Sequence, residues 1–324
     1  MKYSIVMPTY NSSKTITRSI KSVLNQTYGD FELIIVDDGS TDNTIEICKR
    51  FEKNDDRVVV YSRVNKGPGA ARNYGIKKCT GDYIAFLDSD DYYEVDYLEL
   101  INNIVKSKAF DFIFINTANE WDNGEIYDID NISKYKEKQK KELLSLQIAG
   151  MIPWGPCSKV CRADLVKKCS FSGLSVGEES IYSFNLLRLA KTITFVDKSL
   201  YHYVHNAKGQ HTKGGLDPWR PVVDSLSDYI NKNNINDYKK AINALALKSL
   251  TIAIYRISLN NAYFEAKKKI KQVKKEYIKK YSIYDYDGGV VDLKTKVLGL
   301  LIKYRIYIAL YLLSALRNNK RMKA

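Results

Sequence analysis

Metal-binding and redox-active side chains are scarce in this sequence, whose 324 residues include three histidines and five cysteines. Cys48, Cys79, Cys157, Cys161 and Cys169 are odd in number and form no paired ligand spacing. The spacing offers no metal-ligand set and argues against a disulfide framework, and the thiols read as the reduced cysteines of a cytosolic protein. Six prolines are too few for a proline-rich linker, and no repeat or low-complexity tract marks a clean domain junction. The first apolar run stops at Pro8, short of a secretory leader, so none is expected. Acidic charge is what the last third lacks: from Asp217 onward 22 Lys and Arg face 9 Asp and Glu, whereas the preceding 216 residues carry 29 against 28. A near-neutral body with a basic extension suits an anionic partner, either nucleic acid or an acidic membrane surface.

The long apolar stretch of that extension, VLGLLIKYRIYIALYLLSALRNNKRMKA, approaches the roughly 20 residues of a spanning helix. Lys303 and Arg305 interrupt it, each costing about 2.5–3.5 kcal/mol at a bilayer centre. The expectation is a helix packed on the body or lying in the membrane interface, its basic end RNNKRMK against acidic headgroups.

Upstream, β-branched runs at 3–7, 32–36 and 58–61 and the apolar run 83–87 alternate with helical patterns near 13–24, 44–52 and 70–77. Strands alternating with helices imply right-handed crossovers and an α/β fold with a mostly parallel sheet covered on both faces. Ligands bind at the carboxyl ends of such strands. There stand Thr9-Tyr10-Asn11, Asp37-Asp38, residues 65–73 and Asp88–Asp91, so the four clusters are expected to converge. Further strands are expected at 111–117 and 195–205, a solvated helix over 133–146, a break at Pro153-Trp154-Gly155, and helices from Trp219 onward.

The cluster Asp88-Ser89-Asp90-Asp91 brings three carboxylates together, an arrangement that raises their pKa values unless a positive group intervenes. It could be a solvated turn, a dinucleotide site with one Asp on a ribose, or the seat of a hard divalent cation that carries substrate phosphates. KGPGAARNYG follows a strand and opens a helix about 20 residues earlier, as a dinucleotide fingerprint would. Arg72 at the third glycine position and Pro68 between the first two count against that fingerprint.

The segments VMPTYNSSKTITRSIKSVLNQTYGDFELIIVDDGSTDNT, NKGPGAARNYGI and GDYIAFLDSDDYY resemble, in order and spacing, the donor half of a GT-A fold, family 2 inverting glycosyltransferase of the bacterial surface-polysaccharide type. The resemblance is specific over residues 1–95 and continues more loosely to about 212 through WGPCSKVCRADLV and VGEESIYSFNLL. It implies a GT-A domain over 1–216, with a donor half (1–95) and an acceptor half (96–216), followed by a helical basic region over 217–324. The donor would be a UDP-sugar, the transferred group a hexose or N-acetylhexosamine, and the acceptor a saccharide, lipid-linked in many relatives, at the inner face of the plasma membrane.

Residue by residue, the resemblance puts Pro8, Thr9, Tyr10, Asn11, Asp37 and Asp38 on the base and ribose. Lys66, Gly67, Arg72 and Asn73 fall near the nucleotide. Asp88-Ser89-Asp90 matches the DxD motif, with Asp88 toward the ribose and Asp90 on Mn2+ or Mg2+, leaving Asp91 a structural role. The catalytic base falls on Glu179, where the family commonly has Asp, with Glu178 as the alternative; both would otherwise simply begin a helix. His211, with His202 next, is the candidate histidine over the metal and diphosphate. Trp154 and Lys159 are expected on the acceptor side. A nucleotidyltransferase and a non-enzymatic nucleic-acid binder are the competing classes; the basic third contains no recognisable nucleic-acid module. A homo-oligomer is compatible with the sequence.

Overall fold

Strand and helix alternate from the first residues because the apolar periodicity itself alternates between two and 3.6. The structure is a computed structural model that describes residues 1–173, 177–205 and 217–313. The opening elements are β1 (Tyr3–Thr9), α1 (Ile16–Leu24), β2 (Phe31–Asp37), α2 (Thr44–Asn54), β3 (Val58–Ser62), α3 (Pro68–Lys78) and β4 (Tyr83–Phe86). β3, β2, β1 and β4 lie side by side and parallel, as the crossover rule requires. All seven residues of β1 are buried, as expected of a strand covered on both faces. In α1 the buried Ile16, Ile20 and Val23 share the face turned to the core. Close packing of α3 on β1 is permitted by Gly75, where an added Cβ would stand 2.5 Å from Val6 Cγ1. The small residue that a nucleotide fold needs there lies one helical turn beyond Arg72.

Beyond β4 the sheet becomes mixed. The chain continues through β5 (Tyr92–Tyr93), α4 (Tyr97–Ser107), β6 (Phe112–Trp121), β7 (Ile126–Asp130), α5 (Lys140–Ile148), β8 (Lys159–Arg162), α6 (Ala163–Val166), α7 (Glu178–Leu189) and β9 (Ile193–His205). β8 runs antiparallel between β4 and β6. β9 is parallel to β6, and β5 is antiparallel to β9 at the sheet's end.

The chain divides into two compact units: Met1–Lys140 with Pro153–Gly209, and Lys141–Ile152 with Gln210–Ala324. The excursion of residues 141–152 into the second unit differs from the expected uninterrupted 1–216 domain. The helix expected over 133–146 also differs. It is a short 3-10 turn at Ser133–Tyr135 followed by α5, whose Leu143, Leu144, Leu146 and Ile148 are buried. Its lysines cluster at the start, so the leucines that follow are left to a core.

The second unit is helical: α8 (Arg220–Lys232), α9 (Lys239–Asn260), α10 (Tyr263–Lys280) and α11 (Leu293–Lys303). α9 is the core helix, buried over most of its circumference. It is apolar and long enough to cross a membrane, yet 67% of its most apolar window is already buried within the protein, which is the signature of a core helix. The continuous C-terminal helix expected from the sequence is broken. α11 ends at Lys303, Arg305 takes a left-handed backbone (φ 62°), and helix resumes over 307–313. A non-glycine residue in that conformation ends a helix. The basic end RNNKRMK lies outside the described residues.

Candidate active site

Each polar cluster follows its strand directly, so a parallel arrangement delivers all of them to one edge, where backbone and side-chain bonds tie them together. Asp38 N donates to Thr9 O at 2.9 Å, joining the ends of β1 and β2. Asn11 adopts a left-handed φ of 50°, which asparagine tolerates, and its Oδ1 accepts from Thr41 N at 2.8 Å. The Ser12 and Ser89 hydroxyls meet at 2.7 Å, linking β1 to the acidic turn. Asp38 organises the loop before α3: its carboxylate accepts from Lys66 N at 3.1 Å and Gly67 N at 2.7 Å and pairs with Arg63 Nε at 3.3 Å. Gly67 has φ 89° and precedes Pro68 at the first helical position, a placement in which the glycine takes the left-handed backbone and the missing proline N–H costs nothing.

These ends enclose a cleft of about 480 Å³ walled by Pro8, Thr9, Tyr10, Asp38, Asn65, Gly67, Pro68, Ala71, Arg72, Asp88, Ser89, Asp90 and Tyr203. Four expected donor contacts are not among the walls. Asp37 is buried and spends its carboxylate on Ser40 N and the Ser62 hydroxyl. Asn11 shapes the turn described above, and Lys66 contributes its backbone N–H to Asp38. Asn73 departs furthest from expectation. Its amide donates to Phe171 O at 2.8 Å and accepts from Phe171 N at 2.9 Å, because α3 turns it away from the side that carries Arg72.

Arg72 is the centre of the arrangement. Its side chain is 4% exposed, and its two terminal nitrogens pair with Asp88 at 2.8 Å and Glu179 at 2.7 Å. Burial opposes its charge, but the two carboxylates more than offset this and raise its pKa. α7 supplies the acidic pair at its first turn, and the two glutamates have different surroundings. The Glu178 carboxylate packs against Gly69, so closely that a Cβ there would be 2.3 Å from its oxygens. Burial, with Glu179 adding to it, raises the Glu178 pKa. Glu179, with 40% of its side chain exposed, stays open to solvent beside Arg72.

The three aspartates of the acidic turn are equally distinct. Asp88 is answered by Arg72. Asp91 is fully buried, accepts from the Tyr201 hydroxyl and from Val204 N at 2.9 Å, and so pins β9 to the turn. Burial, then Asp88 and Asp90, push its pKa well up. Asp90 is exposed; partial desolvation of its carboxyl and the adjacent Asp88 charge raise its pKa. Arg18 donates to the Asp90 carbonyl, not to its carboxylate, and lies over the Tyr92 ring at 5.2 Å. No group of three or more metal-ligating side chains occurs among the described residues. Two neighbouring carboxylates with the cleft beside them instead fit a Mg2+- or Mn2+-type site completed by substrate phosphates.

The remaining candidates fall elsewhere. His202 is held between Glu120 at 2.9 Å and Glu94 at 2.7 Å, so its ring nitrogens are occupied away from the acidic turn. His211 lies outside the described residues. Lys159 is not an acceptor-side group. It is 2% exposed and donates to Pro153 O, Gly155 O and the Ser158 hydroxyl, fixing the Pro153–Gly155 turn from inside. Burial pulls its pKa down to about 8. Trp154 is half-buried, and its carbonyl accepts from Ser183 on α7 at 2.6 Å. Tyr203, a wall of the cleft and 40% exposed, was not singled out from sequence. The signal was the alternation in β9, which puts Tyr201 and Tyr203 on one face and His202 on the other.

A cleft at parallel strand ends, walled by a glycine-proline loop and a pair of aspartates, defines a nucleotide-binding α/β transferase. The chain belongs to glycosyl transferase family 2, whose profile matches residues 4–166. It is 27% identical to the putative glycosyltransferase EpsH of Bacillus subtilis, over 94% of this chain and 92% of that one. Other relatives are longer: the chain spans 34% of glycosyltransferase GlyA of Streptococcus pneumoniae and 16% of an uncharacterized glycosyltransferase of Rickettsia bellii. Among solved structures it superposes on S. aureus TarS residues 1–349 in complex with UDP-GlcNAc (TM-score 0.65, 19% identity, 99% of this chain and 92% of that one). A Pyrobaculum calidifontis mannosyltransferase in complex with GDP-Man and Mn2+ also matches (TM-score 0.52, 14% identity, 98% and 86%). The GT-A architecture and the glycosyltransferase class follow, and the nucleotidyltransferase and nucleic-acid-binder readings give way to them.

Proposed function

We propose that the protein is an inverting glycosyltransferase that moves a hexose or N-acetylhexosamine from a UDP-sugar to a saccharide of a bacterial surface polysaccharide. The observation that carries this reading is Arg72. One buried guanidinium holds Asp88 of the donor cleft and Glu179 of α7 within 3 Å of its own nitrogens, so the donor and the candidate base share one anchor. Tyr10 and Tyr203 offer exposed rings on the cleft walls for stacking on the base or a sugar face. Asp88 faces the ribose, and Asp90 would hold Mn2+ or Mg2+, which when bound stabilises charge on the departing diphosphate. The UDP-GlcNAc and Mn2+ complexes of the structural neighbours support this choice of donor and metal.

Glu179 accepts the acceptor hydroxyl proton as that oxygen bonds to the anomeric carbon and the bond to the diphosphate breaks. Glu178, its carboxylate packed against Gly69 and in no ion pair with Arg72 among the described residues, is the second candidate. Trp154, tied to α7 through Ser183, is the acceptor-side stacking candidate. A lipid-linked acceptor at the inner membrane face fits the basic C-terminal region.

Isothermal titration of UDP with and without Mn2+ tests the core of this reading. Metal should strengthen binding to the wild type and leave Asp90→Asn unchanged. Equal affinity with and without metal, or an unaltered metal effect in Asp90→Asn, would overturn it. The anomeric configuration of the product, read by NMR, tests inversion separately.

A further inference from the structure

α10 carries eight lysines, from Lys267 to Lys280, against two glutamates, and they are not used alike. Lys269 pairs with Glu265 at 2.7 Å, and Lys280 with Asp224 at 2.8 Å. Lys274 is buried and donates to Ile302 O at 2.6 Å, which anchors α10 to the end of α11. Lys267, Lys271, Lys275 and Lys279 follow one another at four-residue spacing. They line an open groove of about 720 Å³ whose opposite wall includes Arg305, Ile306 and Ile308. Among the described residues no carboxylate pairs with any of these four lysines.

A solvated lysine face alone would need no partner. This groove adds exposed apolar side chains: Ile278 is 47% exposed, Ile306 43% and Ile308 55%. Directly before Arg305, α11 and its cap residue Tyr304 turn Leu293, Val297, Leu300 and Tyr304 outward, between 46% and 77% exposed. Their spacing of four, three and four residues makes one continuous helical stripe. The same helix buries Thr295, Gly299 and Ile302 on its other side, so the outward stripe is not the face that builds the core. Unpaired lysines beside exposed aliphatic groups match a ligand that is anionic at its surface and apolar beneath.

We propose that the α10 groove and the segment around Arg305 form a docking surface for an anionic phospholipid bilayer. The lysines meet headgroup phosphates, and Ile278, Ile306 and Ile308 enter the headgroup–acyl boundary. The contact lies on the membrane, because the left-handed Arg305 breaks α11 from the helix that follows, and α11, at 11 residues, is well short of a span. This deepens the lipid-linked-acceptor reading and rests on it only for its biological purpose. The binding itself needs no sugar donor, so either can fail while the other stands.

The test is co-sedimentation of the full chain with vesicles of phosphatidylcholine containing phosphatidylglycerol, against vesicles of phosphatidylcholine alone. Binding should require the anionic lipid and weaken with added salt. A juxtamembrane lysine contributes about 1 kcal/mol, or roughly fivefold. The triple variant Lys271→Gln/Lys275→Gln/Lys279→Gln should therefore lose on the order of 100-fold in partitioning. Ile306→Ser/Ile308→Ser should lose binding at high salt as well as low. Far-UV circular dichroism and the thermal melt of each variant report that its helical unit is folded. Four results would overturn the proposal: no binding to anionic vesicles, equal binding to neutral ones, retained binding by the folded triple variant, or capture of soluble polyphosphate without vesicle binding. A dimer by light scattering that the same substitutions dissolve would also overturn it, assigning the groove to a second copy of the chain.

Discussion

Replacing Arg72 with alanine removes the cation that Asp88 and Glu179 share. Deleting one partner of a buried ion pair costs about 3–5 kcal/mol, because a charge is stranded where water cannot reach it. The carboxylates stranded here are 28% and 40% exposed, so solvent screens them and the cost falls to about 2–3 kcal/mol. Loss of the guanidinium's contact with the Phe171 ring, 5.5 Å away, adds less than about 1 kcal/mol. For a domain of this size each kcal/mol moves Tm by about 2–4 °C, giving an expected fall of about 5–10 °C by scanning calorimetry. Arg72→Lys keeps one point charge but not the two-nitrogen fork, and should recover about half of that loss. A double-mutant cycle of Arg72→Ala with Glu179→Gln should return a coupling energy above about 0.5 kcal/mol. A Tm within about 1 °C of wild type for Arg72→Ala, with no coupling in the cycle, would refute the bridging role.

Three further outcomes follow from the same geometry. Glu179→Gln should lower kcat by about 10²–10⁴ with UDP affinity retained, whereas Glu178→Gln should act mainly on Tm; the reverse pattern in steady-state kinetics and melting would exchange their roles. Gly69→Ala puts a Cβ 2.3 Å from the Glu178 oxygens, the far end of a flexible side chain that can swing aside, so it should cost less than about 1 kcal/mol; a larger loss in urea titrations would refute this. Lys159, whose pKa burial lowers from 10.5 to about 8, bears its full charge-burial cost below pH 8. From pH 8 to 10.5 the folded lysine releases its proton before the unfolded one, so wild type should gain on the order of 3 kcal/mol relative to Lys159→Met. Parallel stability–pH curves for the two proteins would contradict this.

The donor half was legible because each signal there is local. A buried parallel strand reads as a short β-branched run, and the polar residues that follow it must lie at the sheet edge. The elements that escaped reading depend on distant partners. β8 is four residues, Lys159–Arg162, without usable alternation, and it exists because β4 and β6 flank it. The burial of Leu143, Leu144 and Leu146 depends on residues 141–152 joining the second unit, which no feature within that stretch announces. Asn73 has a side chain suited to a nucleotide and stands beside Arg72. Only the helical turn of roughly 100° between neighbours carries it to Phe171 instead. The β-strand alternation that exposes Tyr203 was present in the sequence, but the histidines beside it drew the functional reading.

The acidic turn shows why residue type alone leaves such a site unresolved. Three carboxylates within four residues would ordinarily raise one another's pKa, and the fold compensates each differently. Asp88 has the Arg72 guanidinium. Asp91, buried, has the Tyr201 hydroxyl and the Val204 N–H, a hydrogen-bonded arrangement that needs no cation. Asp90 has neither, since Arg18 binds its backbone carbonyl and leaves the carboxylate facing the cleft beside Asp88. Among the described residues no cation pairs directly with the Asp90 carboxylate, which lines the cleft where a donor diphosphate would bring its own negative charge. A divalent cation answers both deficits at once, which is why the metal assignment rests on Asp90 and why removing Asp90 should abolish the metal effect without emptying the nucleotide site.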